Sequence, residues 1–187
     1  MDELTQAVKL SDARLADLPP AIRTPRYDRK KLTPGIVHIG LGNFHRAHQA
    51  WYLHRLFDLG LCQDWAIIGA GVRPNDAVQR ERLLNQDCLT TLIELDPETS
   101  SVEICGSMID FVKGEPDNRA LIAQMAEPNI RIVALTVTEG GYYIDPATGG
   151  FDAQRPDIQH AAGDPGTPHP AFGAMVAALR PRRSAGA

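Results

Sequence analysis

Cysteine is scarce in this chain: Cys62, Cys88 and Cys105 stand far apart, with no CxxC pair among them. An odd, dispersed set excludes a disulfide framework or a zinc knot as the organising device. It predicts reduced thiols acting as small buried hydrophobes in a cytoplasmic protein. Long apolar runs are also missing. No stretch approaches the roughly 18–20 residues needed to cross a bilayer, and the polar start MDELTQAVKLSD is no secretory signal, so no membrane partner is expected. Positive charge is not in excess: 19 Lys and Arg face 23 Asp and Glu, a net charge of −4, which gives no support to a nucleic-acid partner. Internal repeats are absent. What remains is 187 residues with 43% hydrophobic and 22% charged side chains, enough for one ample domain or one domain with an appendage.

Residues 1–34 are polar and broken by Pro19, Pro20, Pro25 and Pro34. They predict an N-terminal arm, either extended over the domain or disordered, with at most one helical turn capped by Ser11 or Asp12. From residue 35 the pattern becomes α/β. Ile36, Val37 and Ile39 form a compact apolar strand over 35–40, of the kind buried on both faces of a parallel sheet. Phe44, Ala47, Trp51, Leu53, Leu56 and Phe57 then recur at helical spacing over 44–59, and Gly60 is placed to end that helix. A second strand over 65–72 completes a βαβ unit. A helix opened by Asn75-Asp76 follows, through about residue 85. The β-rich runs 88–95 and 101–105, joined by Asp96-Pro97-Glu98-Thr99, predict an inserted hairpin. Residues 109–111 either extend a strand or lead into the next helix, over 118–126. Residues 130–137 form another core strand, the loop 145–170 carries a short helix near 156–162, and a last helix runs over 171–179. The expected fold is therefore α/β and modified Rossmann-like, a mostly parallel sheet with an inserted hairpin. Its usual six strands are not all present before the chain stops, which predicts a sheet truncated before its last strands, with an edge left open or covered by the arm, a loop or a partner chain.

The stretch organising all this is Gly35-Ile36-Val37-His38-Ile39-Gly40-Leu41-Gly42-Asn43-Phe44-His45-Arg46. A strand running through glycines into a helix brings backbone N–H groups toward a phosphate. Gly40 permits the tight turn and Gly42 clears the pyrophosphate approach. His45 stands where GxGxxG has its third glycine, predicting a more widely spaced helix or a shifted register, with Ala47 and Ala50 as close-contact residues. Arg46 either pairs with a phosphate or makes a surface salt bridge. Asp76 is the best-placed acid for the ribose hydroxyls, or else only a helix cap. It leans toward NAD, while Arg73 leaves NADP open. Gly69-Ala70-Gly71 predicts close backbone packing beneath the adenosine side. Thr136 and Thr138 sit at a strand's carboxyl end, where they bond either cofactor oxygens or backbone. Glu139 beside them is a proton-relay candidate or a solvated loop acid. His45 and His48 lack the carboxylate or cysteine that would complete a metal site, and His54 reads as a partly exposed helix residue.

Three blocks, G-I-V-H-I-G-L-G-N-F-H-R-A-H-Q-A, I-I-G-A-G-V-R-P-N-D and R-I-V-A-L-T-V-T-E-G-G-Y-Y, occur in the order found in the mannitol dehydrogenase family, and the resemblance covers about residues 30–187. The family comprises polyol-specific long-chain dehydrogenases, among them mannitol 2-dehydrogenase and fructuronate reductase. The resemblance implies a dinucleotide partner, NAD(H) or NADP(H), held by Gly40, Gly42, Asn43, Phe44 and Arg46 at the pyrophosphate, Asp76 at the ribose, and Thr136, Thr138 and Glu139 beside the nicotinamide. It implies reversible hydride transfer between a sugar alcohol and a ketose, or a hexonate and a keto-hexuronate, without a metal. The general-base lysine, with its asparagine and histidine, belongs to later segments in that family. No residue here is assigned as catalytic, and a helical substrate domain is the implied missing partner. Residues 35–187 then form an incomplete dinucleotide-binding domain, inactive by itself. The competing reading is a truncated Rossmann-like structural or interaction module without useful nucleotide affinity, self-associating through its open edge.

Overall fold

The computed structural model describes residues 9–73, 75–136, 139–166, 168 and 170–185. Their elements, in chain order, are β1 (Ile22–Arg23), β2 (Pro34–Ile39), α1 (Asn43–Ala47), α2 (Gln49–Asp58), β3 (Ala66–Ala70) and α3 (Asp76–Leu84). Then follow β4 (Thr90–Leu95), β5 (Ser100–Cys105), β6 (Met108–Phe111), α4 (Arg119–Ala126), β7 (Ile132–Leu135), α5 (Pro156–Gly163) and α6 (Ala171–Ala185).

Four strands make a wholly parallel sheet in the spatial order β6-β3-β2-β7. Numbered as they enter the sheet, these are strands 3-2-1-4, the first four of the doubly wound dinucleotide order. Strand periodicity divides their side chains between two cores. Val37, Ile39, Ile68 and Ala70 face Leu121 and Met125 of α4 and Ala174 and Ala178 of α6. Ile36 and Ile67 face the opposite way, toward Ala50, Leu83, Cys88, Cys105 and Met108. Every residue of β3 is buried, which explains why its sequence shows a continuous apolar run rather than alternation. Residues 108–111, ambiguous in sequence, form the third strand of the sheet. Four residues give too few periods to tell a strand from a helix lead-in.

The hairpin β4–β5 pairs antiparallel as expected, but it stands outside the main sheet. β1 adds to it in parallel, Ile22 opposite Val102 and Arg23 opposite Glu103. The arm is thus directed to the second sheet rather than to the open edge of β7, which among the described residues pairs only with β2. Arg29 pins the arm, donating from Nε to Gly106 O at 2.9 Å and from Nη2 to Asp87 O and Met108 O, both at 2.7 Å. Residues 1–8 lie outside the described part.

Two helices depart from the sequence reading. The expected helix over 44–59 breaks at His48, whose φ of −119° and ψ of −86° are not helical. Its Nδ1–H donates to Phe44 O at 2.8 Å, a side-chain competitor for the backbone acceptor of the preceding turn. Gly60 then ends α2 as expected: at φ +74° it lets Leu61 N–H reach Leu56 O and its own N–H reach Phe57 O. The last helix continues past residue 179 to Ala185 despite Pro181, because Arg182 clamps it to the end of α4 by donating to Glu127 O at 2.8 Å.

Candidate functional site

β2 and β7 are neighbours although one opens the sheet and the other enters it fourth, so the topological switch point falls between them. Ligands of open α/β sheets bind beyond the carboxyl ends of the strands at such a point. Gly40 leaves β2 there at φ +92°, donating its N–H to Ala70 O at 3.0 Å, and a Cβ on it would lie 2.7 Å from Thr136 O. No residue but glycine satisfies both the dihedral and the space. Gly42 is the N-cap of α1 with no side-chain capping bond, and a Cβ on it would meet nothing within 4 Å. No side chain caps the first turn of α1, and the space beside its N-cap is open. Arg46 makes no salt bridge among the described residues. It folds back on the turn, donating to Asn43 Oδ1 at 2.5 Å and to Gly42 O at 3.4 Å. Phe44 is 68% exposed and stacks on His48, ring centroids 4.3 Å apart.

Beneath the turn lies a polar layer that sequence reasoning did not assign. His45 is buried and stacks on buried His38, centroids 3.6 Å apart. This stacking is how the chain accommodates a bulky residue at the third-glycine position: the ring is folded under the turn, and Ala50 on α2 supplies close packing. Thr136 Oγ1 donates its only hydrogen to Gly40 O at 2.5 Å, so His38 Nε2–H donates to Thr136 Oγ1 at 2.9 Å. That fixes the His38 tautomer. Burial lowers its pKa to about 4; burial, then His38 and Arg46, lower that of His45 to about 3. Both rings are neutral near pH 7, and neither nitrogen of His45 reaches hydrogen-bond geometry. The one legible signal was a histidine inside an otherwise apolar strand.

One strand over, beyond β3 and β6, a cavity of about 470 Å³ is lined by Gly71, Asp76, Arg80, Phe111 and Pro116, among others. Asp76 opens α3 and turns back over β3, Oδ2 accepting Arg73 N–H at 2.9 Å. Arg80 Nε donates to Phe111 O at 3.0 Å. The expected close packing at Gly69-Ala70-Gly71 is by side chains rather than backbone. Cβ atoms there would strike Leu41 Cδ1 at 2.3 Å and Asp76 Cβ at 2.2 Å. Thr138 lies outside the described residues, as does the side chain of Glu139, whose backbone begins a 3-10 turn.

Two further readings are corrected. His54 is buried, not partly exposed, because the arm covers it: Tyr27 Oη lies 2.7 Å from its Nδ1. Cys62 is exposed in the turn after α2, whereas Cys88 and Cys105 are core residues. His54, Asp58 and Glu103 bring three ligand-type atoms within 4.8 Å of one another. Glu103, however, already accepts from Trp51 Nε1 at 2.6 Å, Arg55 Nη1 at 3.0 Å and Arg23 Nε at 3.3 Å. Burial opposes its charge, but these donors outweigh it and hold the pKa down to about 2. The cluster carries its own counter-ions and ties the arm to α2 and the hairpin.

A 3-2-1-4 parallel sheet with a glycine turn at its switch point, and a cavity beside it, defines a Rossmann-type nucleotide-binding unit. The family described as the mannitol dehydrogenase Rossmann domain matches residues 34–187, and this chain belongs to that family. Mannitol 2-dehydrogenase of Cereibacter sphaeroides is 60% identical over 166 residues, covering 89% of this chain and 35% of that protein. The polyol:NADP oxidoreductase of Gluconobacter oxydans strain 621H is 39% identical over 175 residues, covering 92% and 36% respectively. A solved ternary complex of Pseudomonas fluorescens mannitol 2-dehydrogenase with NAD and D-mannitol matches with a TM-score of 0.91 at 45% identity, covering 96% of this chain and 37% of that one. The chain spans a little over a third of the length of these relatives. No helix among the described residues is long and apolar enough to cross a membrane.

Proposed function

We propose that this chain is the NAD(H)-binding portion of an oxidoreductase that moves a hydride between the cofactor and a sugar alcohol/ketose or hexonate/keto-hexuronate pair. The carrying observation is the open space over Gly42 and the uncapped first turn of α1 beside the strained Gly40. An uncapped helix start beside open space suits a pyrophosphate. Arg46, held among the described residues by Asn43 Oδ1 and Gly42 O, can exchange those bonds for a charge-assisted one to phosphate. Asn43 and exposed Phe44 flank the diphosphate, and Asp76 takes the adenosine ribose. Thr136, Thr138 and Glu139 belong on the nicotinamide side. The cofactor supplies the hydride acceptor; this chain's residues bind and orient it. The polyol:NADP relative keeps NADP open.

In this reading residues 1–34 are an arm, 35–187 an incomplete dinucleotide-binding domain, and the acid–base lysine belongs to a helical substrate domain that these residues lack. The location is cytoplasmic. The outer edge of β7, unpaired among the described residues and with Ile132 43% exposed, favours a second reading, an interaction module that self-associates without useful nucleotide affinity.

Titration with NADH, followed by nicotinamide fluorescence, separates the two. Saturable binding is expected. Gly42→Ala, at a φ of −74° that alanine adopts freely, is expected to weaken binding about tenfold while stability stays within about 0.5 kcal/mol. No saturable signal up to millimolar NADH would leave the interaction module as the better account.

A further inference from the structure

His38 is a polar side chain in the otherwise apolar run of β2, only 2% exposed, and the binding reading above gives it no part. Packing does not ask for it. An apolar side chain of similar volume would fill the place without the cost of burying two ring nitrogens. Its hydrogen bonding is the distinctive feature. Nε2 lies 2.9 Å from Thr136 Oγ1 across the β2–β7 pair, and the same hydroxyl lies 2.5 Å from Gly40 O.

A hydroxyl has one hydrogen, so the tautomer of the ring decides where that hydrogen goes. With the proton on Nε2, His38 donates to Thr136 and Thr136 donates to Gly40, and both bonds form. With the proton on Nδ1, Nε2 competes with Gly40 O for the hydroxyl hydrogen and one bond is lost. A buried N–H is then also left at Nδ1, which meets no partner among the described residues. Gln49 stands beside both His38 and His45 without hydrogen-bond geometry to either, so the choice of tautomer falls to Thr136 and Gly40. His45, stacked with its centroid 3.6 Å away, holds the plane of the ring.

The chain of bonds ends on the carbonyl that opens the glycine turn, at a residue with φ of +92°. A glycine turn has more backbone freedom to lose than any other when a ligand orders it. Restraint applied before the ligand arrives lowers that cost and so raises affinity.

We propose that His38 is a positioning residue for the dinucleotide: by donating from Nε2 to the Thr136 hydroxyl, it directs that hydroxyl's hydrogen to the Gly40 carbonyl and holds the glycine turn in its binding conformation. This rests on the NAD(H)-binding reading above and adds to it a residue that acts from beneath the turn, through another side chain.

Two measurements on the 187-residue chain test it. Long-range ¹H–¹⁵N correlation at pH 7 reads the tautomer with no substitution; the neutral Nε2–H form is expected, and an Nδ1–H ring overturns the proposal. NADH titration, followed by nicotinamide fluorescence, reads the consequence. His38→Phe keeps a ring to stack on His45 but removes the donor, and is expected to weaken NADH about tenfold. His38→Gln, whose amide nitrogen reaches the Nε2 position, is expected to bring affinity back to within about threefold of wild type. In a Thr136→Val background, where the path is already cut, His38→Phe is expected to change affinity by less than about twofold. A histidine that only packs would leave Phe and Gln alike, or would cost as much in the Thr136→Val background as in wild type; either result overturns the proposal. If His38→Phe does not fold, His38→Leu takes its place in the same comparison. Absence of NADH binding to wild type overturns the functional reading and this inference with it, whereas intact binding that is indifferent to the His38 donor removes the inference alone.

Discussion

Gly40-Leu41-Gly42 and Gly69-Ala70-Gly71 share one letter pattern and lie on adjacent strands, yet the space over their second glycines, Gly42 and Gly71, is used in opposite ways. In the first pair the Thr136 carbonyl lies against Gly40, and Gly42 holds space open. Gly40 takes a left-handed φ so the chain can leave β2, and above Gly42 nothing lies within 4 Å. The second pair is filled by side chains, Leu41 over Gly69 and Asp76 over Gly71. One filler comes from the first turn itself, so the second stretch serves as the bed on which the first is laid. A glycine in a βα turn therefore marks either a vacancy for a ligand or a seat for a neighbour. Only the surroundings distinguish the two.

The sharpest way to separate the stretches is acid, because the first rests on two buried neutral histidines and the second on none. In the unfolded chain histidine takes up its proton near pH 6.5, whereas His38 and His45 resist until about 4 and about 3. Between those limits the unfolded state binds more protons than the folded one, so stability is full above pH 7 and falls as pH drops. From pH 7 to 5 the pair is expected to cost roughly 3–4 kcal/mol, readable as a fall in the urea midpoint. Buried His54 is shifted the same way and adds to the slope. His45→Phe, which keeps a stacking ring, is expected to halve the share of the first stretch. An unchanged slope would mean that the rings under the turn do not resist protonation.

Gly40→Ala comes next in size. It meets both a φ of +92° and the Thr136 carbonyl at 2.7 Å, neither of which can give without moving a strand. About 3 kcal/mol of stability is expected to be lost, with dinucleotide binding. Gly69→Ala meets only the methyl end of Leu41 and, at 3.2 Å, the Phe111 ring. A loss of about 1–2 kcal/mol is expected, largely recovered by Leu41→Ala, as a double-mutant cycle in denaturant would measure. Equal costs at the two glycines would dissolve the distinction between them.

Most of the fold was legible because its signals are local. Ile36-Val37 and Ile67-Ile68 announce strands buried on both faces, Gly60 ends α2, and Asp96 to Thr99 close the hairpin. Long-range relations were not legible. Nothing near Glu103 in sequence says that Arg23, Trp51 and Arg55 converge on it, and nothing near His54 shows that Tyr27 will bury it. The candidate site divides the same way. Gly40, Gly42 and Asp76 follow from strand–turn–helix order, while the His45 stack on His38 depends on the turn folding the ring back under β2, and the Thr136 link to Gly40 needs strands nearly a hundred residues apart to be adjacent.

The pairing of β1 with β5 bears on the order in which the molecule is assembled. Arg23 lies 80 residues ahead of Glu103, so the segment that completes the second sheet leaves the ribosome well before the strand it pairs with. At translation speeds of about 5–20 residues per second it waits about 4–16 s as an unpaired tail. Shortening the chain from its front would then remove a piece that can pair only once β5 has been made.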